Sequence, residues 1–230
     1  MQYYLEYSKL PKNLVKIFKI FIFMRTVWVF GDSFSVDFDR NLIENFRNYR
    51  DFKGYFPKSW GKIISEELGC NYRNYSQGGY DNYSIFETVC EHVHHFNPDD
   101  IVFVGWSPEE RIRIVGDDGK WYSFNSHVPT NSWCDISGES ILKILTNRTD
   151  DTGYNANKVV LKEVRSWENM IRHSLKGITH HIWRWYSPEV MCKQYETIVR
   201  ETNGLIQDTH WSEKGHIDYS MDLIKQLNLK

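Results

Sequence analysis

Short runs of β-favouring, largely apolar residues alternate along this chain with segments whose apolar positions recur at helical spacing. Thr26-Val-Trp-Val-Phe30 is such a run, ending at Gly31; an unbroken run of this length predicts a strand buried on both faces. Trp60, Ile63, Ile64 and Leu68 fall at helical spacing, with Gly69 as the stop. Cys70 to Tyr75 predicts a second strand, followed by the pair Gly78-Gly79. Ile85, Val89, Val93 and Phe96 mark the next helix face, which Pro98 closes, and Ile101 to Val104 is a third buried strand. Leu161, Val164, Trp167, Ile171 and Leu175 line a long helix ended by Gly177. Ile178 to Trp185 follows as a strand, and Ile217, Met221, Ile224 and Leu227 predict the apolar face of a final helix. Strands alternating with helices in this way predict an α/β domain: a parallel sheet of about five strands with crossover helices on its faces.

The rhythm breaks over residues 111–157, where turn residues and polar runs replace long helices. Arg111 to Val115 and Lys120 to Phe124 flank Gly116-Asp-Asp-Gly119 and predict a β-hairpin. The insertion follows the carboxyl end of a strand, the side on which open parallel sheets bind ligands, so substrate selection is expected there. Residues 1–23 form an appended segment; residues 24–230 form the domain proper. Leu14 to Met24 is apolar but interrupted by Lys16 and Lys19. It is shorter than the ~20 residues a membrane helix needs and lacks a small-residue cleavage site. No stable membrane insertion and no secretory signal are expected, and a cytoplasmic location is the default.

Composition narrows the picture modestly. The 230 residues are 41% hydrophobic and 25% charged, as in an ordinary globular domain, and a net charge of −2 gives no bulk attraction to nucleic acid. Aromatic residues make up 16%. Trp121, Tyr122, Phe124 and Trp133 of the insertion form either a stacking rim for a sugar or a small core of their own. Cys70, Cys90, Cys134 and Cys192 lie far apart without a CxxC pair, which removes zinc-ribbon and thioredoxin-like chemistry and favours free, mostly buried thiols.

Two motifs carry chemistry. Gly31-Asp32-Ser33-Phe34-Ser35 directly follows the first strand. A nucleophilic serine needs its hydroxyl exposed at such a turn, with backbone N–H groups near to hold an oxyanion. Asp208-Thr-His210 precedes the last helix. An aspartate there can hold the imidazole in one tautomer, leaving the other nitrogen to take a proton from serine. Gly78-Gly79 at a strand-to-helix junction presents free amides to an anion.

With these motifs in this order, the chain from Thr26 onward resembles the SGNH, or GDSL-type, hydrolase family. The resemblance implies a three-layer α/β/α flavodoxin-like fold, Ser33 as nucleophile, His210 as general base and Asp208 as its orienting acid. It further implies that Gly79, five residues after Asn74, offers its N–H to the oxyanion, with Asp32 and Ser107 on the oxyanion and substrate side. Two positions depart from the family pattern. Ser107, in Gly105-Trp-Ser-Pro108, stands where the family has an asparagine. Asp208 lies two residues before the histidine where three is usual, with Gln207 at the third. The implied activity is a serine esterase acting on small acyl esters, such as O-acetyl groups on carbohydrate, with no cofactor and no metal.

Other candidates are weaker. On a helix, His92 and His94 diverge. In a strand, His180 and His181 face opposite ways. Gly105-Trp-Ser107 lacks the second glycine of a nucleophile elbow, since Glu109 stands there. Arg111 and Arg113 alternate on the hairpin, facing either solvent or an anionic substrate. His216 is expected to be structural. The competing functional hypotheses are a non-catalytic carbohydrate- or partner-binding protein on the same scaffold and an anion-binding flavodoxin-like module. Oligomeric state is not encoded in any of these features.

Overall fold

A computed structural model of the chain describes residues 24–40, 44–107, 111–115, 121–124, 155–184 and 193–229. The predicted strands form: β1 (Thr26–Phe30), β2 (Asn71–Asn74), β3 (Ile101–Trp106), β4 (Ile112–Val115), β5 (Trp121–Phe124) and β6 (Thr179–Arg184). The helices are α1 (Glu44–Lys53), α2 (Trp60–Glu67), α3 (Asn82–His92), α4 (Asn155–Ser174), α5 (Ile198–Glu201) and α6 (Glu213–Gln226). Strands β2-β1-β3-β6 pair in that order, all in parallel. The described sheet therefore has four strands rather than about five. The hairpin is present as a separate two-stranded sheet, with Ile112 opposite Phe124 and Val115 opposite Trp121.

Alternation along the central strands creates the layers. Val27 and Val29 of β1 and Ile101 and Phe103 of β3 pack with Trp60 and Ile64 of α2 and Leu223 and Ile224 of α6. Trp28, Phe30, Val102 and Val104 face the other way, against Ile85 and Val89 of α3, Val164 and Ile171 of α4, and Leu175 just beyond its end. Side chains that alternate across a strand need a helical layer on each face, so this is a three-layer α/β/α fold.

Three expectations are corrected. In α6, Ile217 and Met221 are exposed while His216, Ser220, Leu223 and Ile224 are buried. The helix is turned by polar contacts: His216 Nδ1 accepts the Trp60 N–H at 3.2 Å and the Ser220 hydroxyl donates to the Trp60 carbonyl at 3.1 Å. These bonds bury the polar pair where apolar spacing alone put Ile217 and Met221. Helix α1 has no apolar stripe to predict it, since half of its residues are charged and only Phe46 and Tyr49, three positions apart, are buried. Cys70 and Cys90 are free thiols, yet Cys90 is exposed and Cys70 only half-buried. Cys134, Cys192, Trp133, residues 1–23 and most of the 111–157 insertion lie outside the described residues.

Among the described residues no helix is long and apolar enough to cross a membrane.

Candidate active site

The chain leaves β1 for β2 on one side and later returns to form β3 on the other. The carboxyl ends of β1 and β3 therefore border the switch point at which open parallel sheets bind ligands. Asp32 and Ser33 follow β1, Ser107 follows β3, and the loop bearing Gly79 follows β2.

The turn after β1 is tight. The Ser35 N–H donates to the Asp32 carbonyl at 2.9 Å, and the Phe34 N–H donates to Asp32 Oδ1 at 3.1 Å. Gly31 is required by close approach rather than by its φ: a Cβ there would meet Ser35 Oγ at 2.7 Å and the Gly105 carbonyl at 3.2 Å. Ser33 is 7% exposed, and Asp32 is fully buried.

A second layer of bonds ties this turn to the one after β2. The Gln77 N–H donates to the Gly31 carbonyl at 3.2 Å. The Asn74 amide donates to the Ser35 carbonyl at 2.8 Å while its oxygen accepts the Ser76 N–H at 2.9 Å. Gly79 has φ +85° with open space around its Cβ position, so here glycine serves the left-handed backbone itself. A cavity of about 550 Å³ lies beside this loop, lined by Arg40, Ser76, Gln77, Gly78, Tyr80 and His92 among others. Neither Ser33 nor His210 lines it, so it does not mark the chemistry.

His210 arrives from the far end of the chain. Its loop is docked on the first residues of α5: the Ile198 N–H donates to the His210 carbonyl, the Val199 N–H to the Asp208 carbonyl, both at 2.9 Å. Asp208 Oδ1 accepts the His210 backbone N–H at 2.8 Å and lies 2.6 Å from His210 Nδ1. The short Asp-x-His spacing works because one oxygen serves both contacts in a single turn. Burial tends to raise the Asp208 carboxyl, but the hydrogen bonds and charge of His210 outweigh it and hold the group below its ordinary value. A carboxylate only accepts, so the neutral imidazole carries its proton on Nδ1 and its lone pair on Nε2. Nε2 is buried and has no hydrogen-bond partner among the described residues. The ring is held between Phe34, with centroids 4.7 Å apart, and Phe46 at 5.1 Å. Phe34 is the residue next to Ser33, so the histidine loop and the serine turn pack together across more than 170 residues of chain.

Ser107 does not turn its hydroxyl toward open space. It donates to Asp32 Oδ2 at 3.3 Å. Arg111 Nη1 reaches the same oxygen at 3.2 Å and also donates to the Tyr80 carbonyl at 2.9 Å. Burial pushes the Asp32 carboxyl up, opposed first by Arg111 and then by the Phe34 N–H, His210 and Ser107. Sequence reasoning placed Arg111 on a hairpin facing solvent or an anionic substrate, and it is instead mostly buried beside Asp32. The available signal was a cation five positions beyond the end of a fully buried strand.

Among the described residues no group of three or more His, Cys, Asp or Glu side chains has metal-holding geometry. His92 Nδ1 lies 2.8 Å from the Thr88 carbonyl, and the ring lies tilted against Tyr75, with centroids 3.8 Å apart.

Fold and site together define a three-layer α/β protein with a buried carboxylate, a serine turn and a carboxylate-oriented histidine at its switch point. Its structure is similar, at a distance, to lipolytic G-D-S-L proteins and to acetyl esterases. A member of the lipolytic protein G-D-S-L family from Veillonella parvula DSM 2008 is 13% identical over 87% of this chain and 97% of that one, with a TM-score of 0.37. An acetyl xylan esterase from the rumen bacterium Butyrivibrio proteoclasticus is 12% identical over 89% of this chain and 63% of that one, with a TM-score of 0.40. A carbohydrate esterase whose active site displays divergent catalytic and non-catalytic binding functions is 12% identical over 90% and 69%, with a TM-score of 0.38. No protein-family model and no curated protein matches the chain. What the chain does therefore rests on its own residues.

Proposed function

We propose that the protein is a serine esterase that transfers small acyl groups to water through Ser33, His210 and Asp208. The observation that carries this reading is the Asp208–His210 pair, 2.6 Å apart, with a buried Nε2 free to accept and the imidazole against Phe34, beside Ser33. In the proposed cycle His210 Nε2 takes the Ser33 proton as Oγ attacks the ester carbonyl. The tetrahedral oxyanion is held by the Ser33 and Gly79 N–H groups, and the alcohol leaves with the proton from His210. Water, activated by the same nitrogen, then releases the acid and restores Ser33. No cofactor is needed for these steps.

Ser107 joins the site through Asp32, because its single proton is directed to that carboxylate. The oxyanion is left to backbone donors, and one missing donor typically costs ~10²–10³ in rate. O-acetyl groups on carbohydrate are the proposed substrates, supported by the aromatic residues Trp121, Tyr122, Phe124 and Trp133 of the insertion.

Hydrolysis of p-nitrophenyl acetate tests the reading. Turnover is expected and should vanish in Ser33→Ala, with Ser33 labelled by a fluorophosphonate. The second reading, non-catalytic binding of a carbohydrate or partner on this scaffold, is favoured by the Ser107–Asp32 bond, which commits the Ser107 hydroxyl to a carboxylate rather than to an oxyanion. Absence of both Ser33-dependent turnover and labelling would establish it over the first.

A further inference from the structure

We propose that Arg111 is the positioning residue of this site, fixing the turn that bears Ser33 against the turn that bears Gly79. The inference rests on the hydrolase reading and adds to it a residue that neither sequence motif contains.

The geometry is specific. From one nitrogen, Arg111 reaches Asp32 Oδ2 at 3.2 Å and the Tyr80 carbonyl at 2.9 Å. Asp32 immediately precedes Ser33, and Tyr80 immediately follows Gly79. The two residues whose N–H groups are to face the oxyanion are thus tied to one planar cation, each through its chain neighbour. Ser107 at the end of β3 joins the same carboxylate oxygen at 3.3 Å. Three chain segments from three strand ends converge on this one charge pair.

Chemistry explains why the tie is a permanent cation. Asp32 is fully buried, and an isolated carboxylate there would be neutralised by taking a proton. A protonated Asp32 would lose one acceptor for the Phe34 N–H, Ser107 and Arg111, and the serine turn would relax. Guanidinium is a permanent cation, and the two N–H bonds of its Nη1 lie in a fixed plane, so that one nitrogen can hold a carboxylate and a carbonyl together. The charged or polar groups that face Asp32 are Arg111, the Phe34 N–H, His210 and the Ser107 hydroxyl. Arg111 is the permanent charge among them.

The experiment compares wild type, Arg111→Lys, Arg111→Ala and Arg111→Met on p-nitrophenyl acetate, with thermal melting of each. In Arg111→Ala and Arg111→Met, kcat is expected to fall on the order of 10²-fold while KM moves by less than about threefold, because misplacement of the oxyanion donors acts on the transition state. The acid-side loss of activity should move to higher pH, since Asp32 without its cation takes up a proton more readily. Arg111→Lys keeps the charge without the planar fork and should recover part of the rate. Guanidinium ion at sub-denaturing concentration should restore part of the activity of Arg111→Ala. A purely structural tie would lower the melting temperature alone. An Arg111→Ala or Arg111→Met variant with unchanged kcat overturns the inference. So does a lost kcat that guanidinium does not restore, with a pH profile superimposable on wild type. Absence of Ser33-dependent turnover in the wild type is a different failure: it removes the hydrolase reading, and this one with it.

Discussion

Asp208 uses a single oxygen for the His210 backbone N–H and the ring Nδ1, so the tautomer of the imidazole depends on one atom. An asparagine in its place can turn its NH2 toward the ring, which then carries its proton on Nε2 and cannot act as base. Asp208→Asn is expected to lower kcat by about 10²–10⁴, the upper figure being the cost of this change in a serine-protease triad. KM should change little, because the pair touches no substrate before the transition state. Steady-state kinetics on p-nitrophenyl acetate checks this, and an unchanged kcat would remove Asp208 from the mechanism. The same scale shows what was legible in residue types. Ser33 and His210 announce themselves because each stands in a short local motif. Arg111 does not, because its carboxylate partner lies 79 residues away and no local pattern encodes that meeting.

At the level of elements, the segment before α5 and the start of α6 hold the histidine loop. The Ser212 N–H donates to the Glu196 carbonyl at 3.0 Å, and the Ser212 hydroxyl accepts the Gly215 N–H at 3.3 Å as the cap of α6. Gly215 lies so close to this segment that a Cβ would stand 2.2 Å from the Glu196 carbonyl oxygen. Backbone cannot give way as a flexible side chain can. Gly215→Ala is expected to destabilise the fold by about 1–3 kcal/mol, the usual cost of overpacking. For a chain of this size that lowers Tm by roughly 2–4 °C per kcal/mol, read by thermal unfolding. Element existence was readable from periodicity: β1, β3 and α4 appear where apolar spacing puts them. The phase of α6 was not readable, because Trp60 sets it through His216 and Ser220 from 156 and 160 residues away.

Across the whole molecule, His216 couples stability to pH. Its ring is fully buried against Phe38 and Trp211, and burial, with a smaller contribution from the charge of His210, pushes it down from 6.5 to about 3. Between those values the unfolded chain binds a proton that the folded chain refuses. The stabilisation from keeping this ring neutral is thus complete above about pH 6.5 and declines as pH falls toward 3, by ~1.4 kcal/mol per unit. Between pH 7 and pH 5 the wild type should lose about 2 kcal/mol more unfolding free energy than His216→Asn, which keeps an acceptor near the Nδ1 position. Denaturant melts at the two pH values measure the difference, and equal losses would show that His216 does not carry the effect.

By itself, the sequence determined the layered α/β plan, the order of the strands along the chain and the two ends of the proposed catalytic pair. These features depend on residues within a few positions of one another: side-chain alternation in a strand, spacing in a helix, a turn after a strand. Only the tertiary structure decided that Ser107 and Arg111 meet on Asp32, that one oxygen of Asp208 serves the backbone N–H and the ring Nδ1 of His210, and that α6 buries a histidine. Each of those depends on which distant segments the folded sheet brings within hydrogen-bond reach. A buried charge takes whatever partner it finds there, wherever that partner stands in the chain.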